Sequence, residues 1–321
     1  MAESGRQAPF RAAGGLARSA VVHARIGWGA DDADARMANI YTKAVAAQWA
    51  EDDIDWSLAR PLELIDYRPS DRDAAALRAS PFAQGDPDRW SVYRRELQAW
   101  LISQILYGEQ GALVLTSRLA ETLPETSAKC VAASQVADEA RHIRVFQRYL
   151  DGTGHAYGPT AEIEELLGLL LSDSRWDVLF IGMQVLLEGI ALAVVRFADV
   201  LFADPLLADI SRRVARDEAR HLGFGVVALD GHLGGLSSAE LAERREFIAE
   251  AVALMSQRFL FDGVWERLGV PVAEGRRYAR EDPDMVALRR VLFSNVAGSL
   301  RRLGLWSGLQ PVFATLGLVK E

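Results

Sequence analysis

The sequence predicts an all-α protein, a bundle of helices longer than the globular average. Apolar residues recur with helical spacing along most of the chain, strand-like alternation is scarce, and capping or breaking residues bound the long periodic segments. A first helix is expected from about Asp31 to Ala50, ended by the polar stretch E-D-D-I-D-W-S and a connection carrying Pro69 and Pro81. Asp86-Pro87 reads as an N-cap followed by proline at the first helical position, where a missing N–H costs nothing. The helix it opens runs to about Thr122, and Pro124 separates it from a second that reaches Leu150. Residues 151–160, D-G-T-G-H-A-Y-G-P-T, form the clearest loop. After a short helix near 160–172, Ser174 is placed to cap a long one ending near Phe202. Asp204-Pro205 repeats the Asp-Pro start and opens a helix to about Gly231. Ser237 or Ser238, with Glu240, opens another to about Leu268; Gly269 and Pro271 break it, and a last helix spans 284–303.

Composition narrows the function classes. A net charge of −8 argues against a surface built to grip nucleic-acid phosphates. The single cysteine, Cys130, precludes an intrachain disulfide, implies a reducing compartment, and is expected as a small core residue in K-C-V-A-A-S-Q-V-A. No apolar run reaches the roughly 18 residues of a membrane span. The first 27 residues, rich in Ala, Gly and Arg, lack the apolar centre of a secretory signal. A flexible tail over residues 1–30 and a cytoplasmic location are therefore expected.

The pentapeptide D-E-A-R-H occurs at 138–142 and again at 217–221. Each copy holds Glu-x-x-His, which on a helix presents one carboxylate and one imidazole from the same face. In the helix before each copy a glutamate sits among apolar residues, Glu109 in Y-G-E-Q-G-A-L and Glu188 in V-L-L-E-G-I-A-L. Glu109 precedes Glu139 by 30 residues, and Glu188 precedes Glu218 by the same 30. That spacing fits two hairpins whose arms meet near mid-length, so that two packed hairpins bring four glutamates and two histidines to one interior point. Glu188 has no Lys or Arg three or four positions away, and a buried, unpaired carboxylate costs several kcal/mol. Two metal ions remove that cost, and carboxylate and imidazole donors suit iron and manganese. A lone Glu-x-x-His is more simply a solvated helix face; the matched pair is not.

Around these six, Asp138 and Asp217 are placed to accept the outer N–H of the histidine of the opposite hairpin, with Arg141 and Arg220 as counterions. Surface ion pairs are the plainer alternative. Positions three, four and seven from the ligands are largely apolar, among them Ile105, Leu106, Ala112, Val185, Ala191, Leu192, Val195 and Val214. Gln135, Gln184 and Thr116 are the polar exceptions. Gly225 stands four residues after His221 where Phe146 stands four after His142, an asymmetry that predicts a void on the Gly225 side for a small or medium organic substrate. Bundle packing is the alternative for most of these residues.

The pattern E…D-E-x-R-H…E…D-E-x-R-H, at Glu109, 138–142, Glu188 and 217–221, resembles the ferritin-like superfamily. The likeness is to its branch of ribonucleotide reductase small subunits, related ligand-binding oxidases and hydroxylase subunits of bacterial multicomponent monooxygenases. The stretch from Trp49 to Ser57, W-A-E-D-D-I-D-W-S, resembles the segment that precedes the bundle in the first two groups. The resemblance covers about residues 40–235. It implies a ferritin-like four-helix bundle core over 31–235, with residues 236–321 as additional helices packed on it. It also implies a dinuclear centre that activates dioxygen, held by two iron ions or a manganese/iron pair. Trp49, by the same resemblance, lies beside Asp217 and a ligand histidine on a route for electrons; a core tryptophan is the alternative.

Three departures narrow the function. Phe146 stands where reductase subunits carry the radical tyrosine, and Tyr149 is about two turns away along the helix. Met183 stands where the ligand-binding oxidases cross-link a tyrosine, and Leu192 where the hydroxylases place a threonine. The expectation is a dinuclear non-haem iron oxygenase or oxidase with dioxygen as co-substrate, acting by C–H hydroxylation, desaturation or amine oxidation. With no flavin, nicotinamide or iron–sulfur motif visible, an external reductase or ferredoxin is implied. The alternatives are a manganese/iron oxidase of a fatty-acid-like ligand and a non-enzymatic iron-binding protein. Long helices and eight tryptophans also admit a homodimer.

Overall fold

The computed structural model describes residues 14–24, 26, 28, 35–67, 69 and 73–319, and among them helices are the only regular structure. Four long elements form the bundle: α3 (Pro87–Thr122), α4 (Thr126–Thr153), a rod made of α6 (Trp176–Phe180), a π-helical stretch (Ile181–Leu187) and α7 (Glu188–Leu201), and α8 (Pro205–Leu229). α3 packs along α4 and α7 along α8, giving two hairpins. α1 (Ala35–Ala46) lies across α4 and α8, α2 (Ala74–Ala79) falls in the connection to the bundle, and α5 (Ala161–Ser172) packs on α3.

The predicted caps operate as chemistry requires. The Asp86 carboxylate accepts from the N–H groups of Asp88 and Arg89 at 2.9 and 3.4 Å, and Asp204 from Leu206 and Leu207 at 3.0 and 3.1 Å. Ser237 and Glu240 form a reciprocal capping box at the start of α9 (Ser238–Arg258). Ser174 does not cap its helix. Its N-cap is Arg175, which has no side-chain cap, and Asp173 accepts the Arg175 N–H at 2.8 Å just ahead of the helix.

Other boundaries differ. The first helix stops at Ala46 rather than Ala50, which frees Gln48 and Trp49 to turn toward the bundle; its expected start at Asp31 lies outside the described residues. The helix expected to reach Leu268 breaks at Phe261, whose φ of 63° is left-handed, and resumes as α10 (Asp262–Arg267). Phe261 is held in this unfavourable conformation by full burial, its ring set edge-on to Trp100 and Phe259. α11 (Val272–Glu281) and α13 (Gln310–Thr315) were not expected, while α12 (Pro283–Arg302) matches the predicted last helix.

One apolar core runs from Met37 to Leu318, so residues 236–319 share it: α12 lies along α7, and α9 against α5 and the π-helical stretch. Cys130, expected in the core, is exposed. Of the expected tail, residues 14–24 form neither helix nor strand, and Leu16 packs on the core; residues 1–13 lie outside the described part. Trp176–Ala198 is long and apolar enough to cross a membrane, yet 94% of its most apolar part is buried in the bundle. It is the central rod.

Candidate metal centre

The hairpins bring together all six predicted ligands. Glu109 comes from α3, Glu139 and His142 from α4, Glu188 from the first position of α7, and Glu218 and His221 from α8. None is more than 3% exposed. His142 Nδ1 lies 3.4 Å from Glu109, 3.5 Å from Glu139 Oε2 and 3.2 Å from Glu218 Oε1. His221 Nδ1 lies 3.3 Å from Glu218 Oε2, 3.4 Å from Glu139 Oε1 and 3.7 Å from Glu188. Glu139 and Glu218 therefore each present one oxygen to each histidine, while Glu109 and Glu188 serve one side apiece. Four carboxylates and two imidazoles so disposed could hold a pair of metal ions.

The donor set fits such a pair. The ligand atoms of Glu109, Glu139, His142 and Glu218 lie within 4.8 Å of one another, as do those of Glu139, Glu188 and His221. Oε1 of Glu109, Oε2 of Glu139 and Oε1 of Glu218 are buried with no hydrogen-bond donor, an arrangement expensive without a cation.

The same crowding shifts the titration of Glu109, Glu188, Glu218 and both histidines. Burial, then the charge of Glu218, holds the Glu109 and Glu188 carboxyls well above the usual range. For Glu218 burial acts upward, but hydrogen bonding with Glu188 and the neighbouring imidazoles outweigh it and hold it well below. Burial opposes charge on both histidines and is overcome, by Glu109 and Asp217 at His142 and by Glu139 and Glu218 at His221. Both rings are thus held protonated well above their ordinary range.

The outer nitrogens point away from this centre. His142 Nε2 meets Asp217 at 3.1 Å and His221 Nε2 meets Asp138 at 3.2 Å, each across the bundle. Arg141 bonds Asp138 at 2.5 Å and Asp217 at 3.1 Å, and Arg220 bonds the same two carboxylates. Trp49 Nε1–H donates to Asp217 at 2.7 Å, and its ring stacks on His142 with centroids 6.3 Å apart. Sequence reasoning missed Gln48, which donates to Asp138 at 2.8 Å and accepts from Arg141 at 2.7 Å. Nothing marks a glutamine at a helix end, except that it adjoins Trp49.

Gln135, Gln184, Thr116, Phe146, Leu192 and Gly225 do not line the cleft beside the centre, whereas Ile105, Ala112 and Ala191, also expected around the centre, do. Gln135 donates to Glu139 at 2.8 Å and to Glu188 at 3.1 Å, and Gln184 donates to Gln135 at 2.6 Å, so the pair buttresses the carboxylates. The predicted void beside Gly225 is filled by Gln184, whose Cβ is 2.4 Å from where a Gly225 side chain would begin. Phe146, Leu192 and Thr116 are buried, the last with an unpartnered hydroxyl. The cleft that reaches the centre opens instead between α3 and α7 and is closed by the end of α9. Leu101, Gln104, Ile105, Gly108, Glu109, Ala112, Leu187, Glu188, Ile190, Ala191, Val194, Met255, Arg258 and Phe259 line it. It meets Glu109 and Glu188, whereas α1 with Gln48 and Trp49 lies across the other helix pair.

A family profile described as P-aminobenzoate N-oxygenase AurF matches residues 31–304. No curated protein matches the chain. Among solved structures, an R2-like ligand-binding oxidase with aerobically reconstituted Mn/Fe cofactor superposes with a TM-score of 0.53 at 15% identity, covering 85% of this chain and 94% of its own. A tyrosine-to-phenylalanine mutant of such an oxidase gives 0.54 at 15%, over 85% and 95%. At these identities the likeness establishes the shared ferritin-like fold.

Proposed function

The chain belongs to the P-aminobenzoate N-oxygenase AurF family, and from that premise we propose that it is a dinuclear non-haem iron oxygenase of a small organic substrate held in the α3–α7 cleft. The observation that carries this reading is the pair of histidines that share Glu139 and Glu218 while Glu109 and Glu188 face the cleft. Two irons, or a manganese/iron pair, held by these six residues supply the redox chemistry and the activation of dioxygen.

The chain's own residues set the conditions for it. With the metal ions bound, Asp217 and Asp138 would accept the Nε2–H of His142 and His221 and so fix the tautomer that leaves each Nδ1 lone pair facing inward. Gln135 holds Glu139 and Glu188 in register with one amide. The apolar cleft walls exclude water from the substrate side and favour the uncharged body of an organic molecule. Placing one oxygen atom of dioxygen on the substrate and releasing the other as water consumes two electrons and two protons. With no reducing cofactor motif in the sequence, an external reductase or ferredoxin supplies the electrons. Trp49, stacked on His142 at the partly exposed side, supports a route for them. The single cysteine supports a reducing, cytoplasmic setting.

Dioxygen uptake by iron-reconstituted protein, with an external reductant and a panel of aryl and alkyl amines, tests the reading. Uptake that continues over many turnovers and yields an oxygenated product is expected. Uptake that stops at one equivalent per centre, whatever is added, overturns it in favour of iron binding alone.

A further inference from the structure

The outer face of the α7–α8 hairpin carries positive charge that the centre does not use. Arg196 of α7 and Arg212 and Arg216 of α8 surround a groove whose lining includes Ser211, Ala215 and Ala219. Arg196 and Arg216 are exposed, and among the described residues no carboxylate pairs with either. Ser211 is only 1% exposed and its hydroxyl has no hydrogen-bond partner, so the groove also holds an unused donor. Val200, four residues after Arg196 and so on the same face of α7, is 84% exposed. Arginine is enriched in protein–protein interfaces, where it surrounds apolar contacts of this kind.

This surplus runs against the charge of −8 on the whole chain. Toward Trp49 the acids are outnumbered in the same way. Asp209 is shared by Arg212 and Arg213 at 3.7 and 3.3 Å, and Glu51 by Arg144 and Arg148, both at 2.9 Å. Asp53 and Asp55 turn their carboxylates to the N–H groups of Ala50 and Ser57.

The position suits delivery of electrons. α8 carries Glu218 and His221, and Ala219 of the groove stands between them in sequence, so groove and centre lie on different sides of one helix about 10 Å across. Round that helix Arg216 is followed by Arg220 and Arg213. The Arg213 guanidinium lies 5.8 Å from the Trp49 ring, which in turn stacks on His142.

Resting on the reading of the centre as a reductant-dependent oxygenase, we propose that this groove docks the electron donor and that the donor is an acidic one-electron carrier protein. Arg196, Arg212 and Arg216 steer and orient it by its carboxylates, and Val200 gives an apolar contact. Electron-transfer encounters are small and transient, which a groove of this kind suits. Each docking passes one electron inward and oxidises the carrier, so two dockings take two iron(III) ions to iron(II). No atom is exchanged with the carrier.

A plant-type two-iron ferredoxin and a flavodoxin, both acidic, are the probes, and the basic cytochrome c is the control. Calorimetry with metal-free and iron-loaded full chain should show at least one acidic probe binding both forms, about tenfold tighter at about 50 than at about 300 mM salt. R196E/R216E should weaken that binding at least tenfold and slow reduction of the iron(III) protein by the same probe as much. Reduced phenazine methosulfate, a small uncharged reductant, should reduce variant and wild type at the same rate. R196Q/R216Q serves if the reversal fails to fold, with an expected loss of at least threefold. The proposal is overturned if neither acidic probe binds, if cytochrome c binds as tightly, or if either folded variant keeps wild-type binding or reduction by the probe. Equal slowing with the small reductant overturns it as well. Dioxygen uptake driven by the small reductant separates the two readings. Docking without uptake defeats the oxygenase and leaves the dock; uptake without docking does the reverse.

Discussion

The outer nitrogen of His142 lies 3.1 Å from a carboxylate oxygen of Asp217, which belongs to the opposite hairpin. His221 and Asp138 repeat the relationship in reverse at 3.2 Å, so each Glu-x-x-His turn is oriented by the aspartate that precedes the other. The two halves of the centre are thus mutually dependent.

Asp217→Asn and Asp138→Asn should each weaken metal binding by about 10- to 100-fold, because an amide no longer fixes the imidazole tautomer. Competition with a chelator of known affinity reads the change. Unaltered affinity in both variants would mean that the arginine pairs, not the histidines, are what these carboxylates serve.

Metal binding should be strongly pH-dependent. His142 and His221 are raised, so the stability they give the metal-free fold is complete below about pH 6.5 and is lost as pH rises through their folded values. Glu109 and Glu188 are raised too, so their ionisation works in the same direction. Glu218 is depressed and contributes the opposite way, losing its stabilisation only as pH falls below about 4.5. Scanning calorimetry should show the metal-free melting temperature falling from pH 6.5 to 8.5, and the gain on adding manganese(II) widening over that range. A constant gain would contradict the protonation described.

Gly225→Ala should destabilise the fold by about 1–3 kcal/mol, because the new methyl collides with Gln184 and forces it from Gln135. Urea unfolding measures this. A neutral substitution would mean that the rod and α8 separate easily at that point.

Tyr149→Phe should cost about 1.5–3 kcal/mol and leave the metal content unchanged. The Tyr149 hydroxyl donates to Asp204 at 2.5 Å and accepts from Gln98 at 2.6 Å, in a buried network that also ties down the α8 cap. Loss of metal in this variant would place the tyrosine in the centre after all.

What the sequence made legible was whatever repeats or caps. Two pentapeptides and two glutamates at one spacing specify facing hairpins, and Asp-Pro pairs mark the starts of α3 and α8 through chemistry that acts within three residues. The π-helical stretch was not legible, since Ile181–Leu187 is wholly buried and its apolar run looks the same whether Glu188 N–H bonds four residues back or, as found, five, to Met183. The space expected at Gly225 was read from a small residue, whereas the neighbouring Gln184 side chain fills it. Arg258 escaped notice because a lone arginine at a helix end is ordinarily solvated, and only the tertiary fold, which sets the end of α9 beside Gln104, makes it buried.

The most direct test is the number of metal ions per chain after anaerobic reconstitution with iron(II), in wild type and in Glu188→Ala and His221→Ala. Two per chain in wild type, falling to one or fewer in each variant, is the predicted result. Wild type that retains no iron or manganese, or variants that still hold two ions, would contradict a dinuclear centre built from these six side chains.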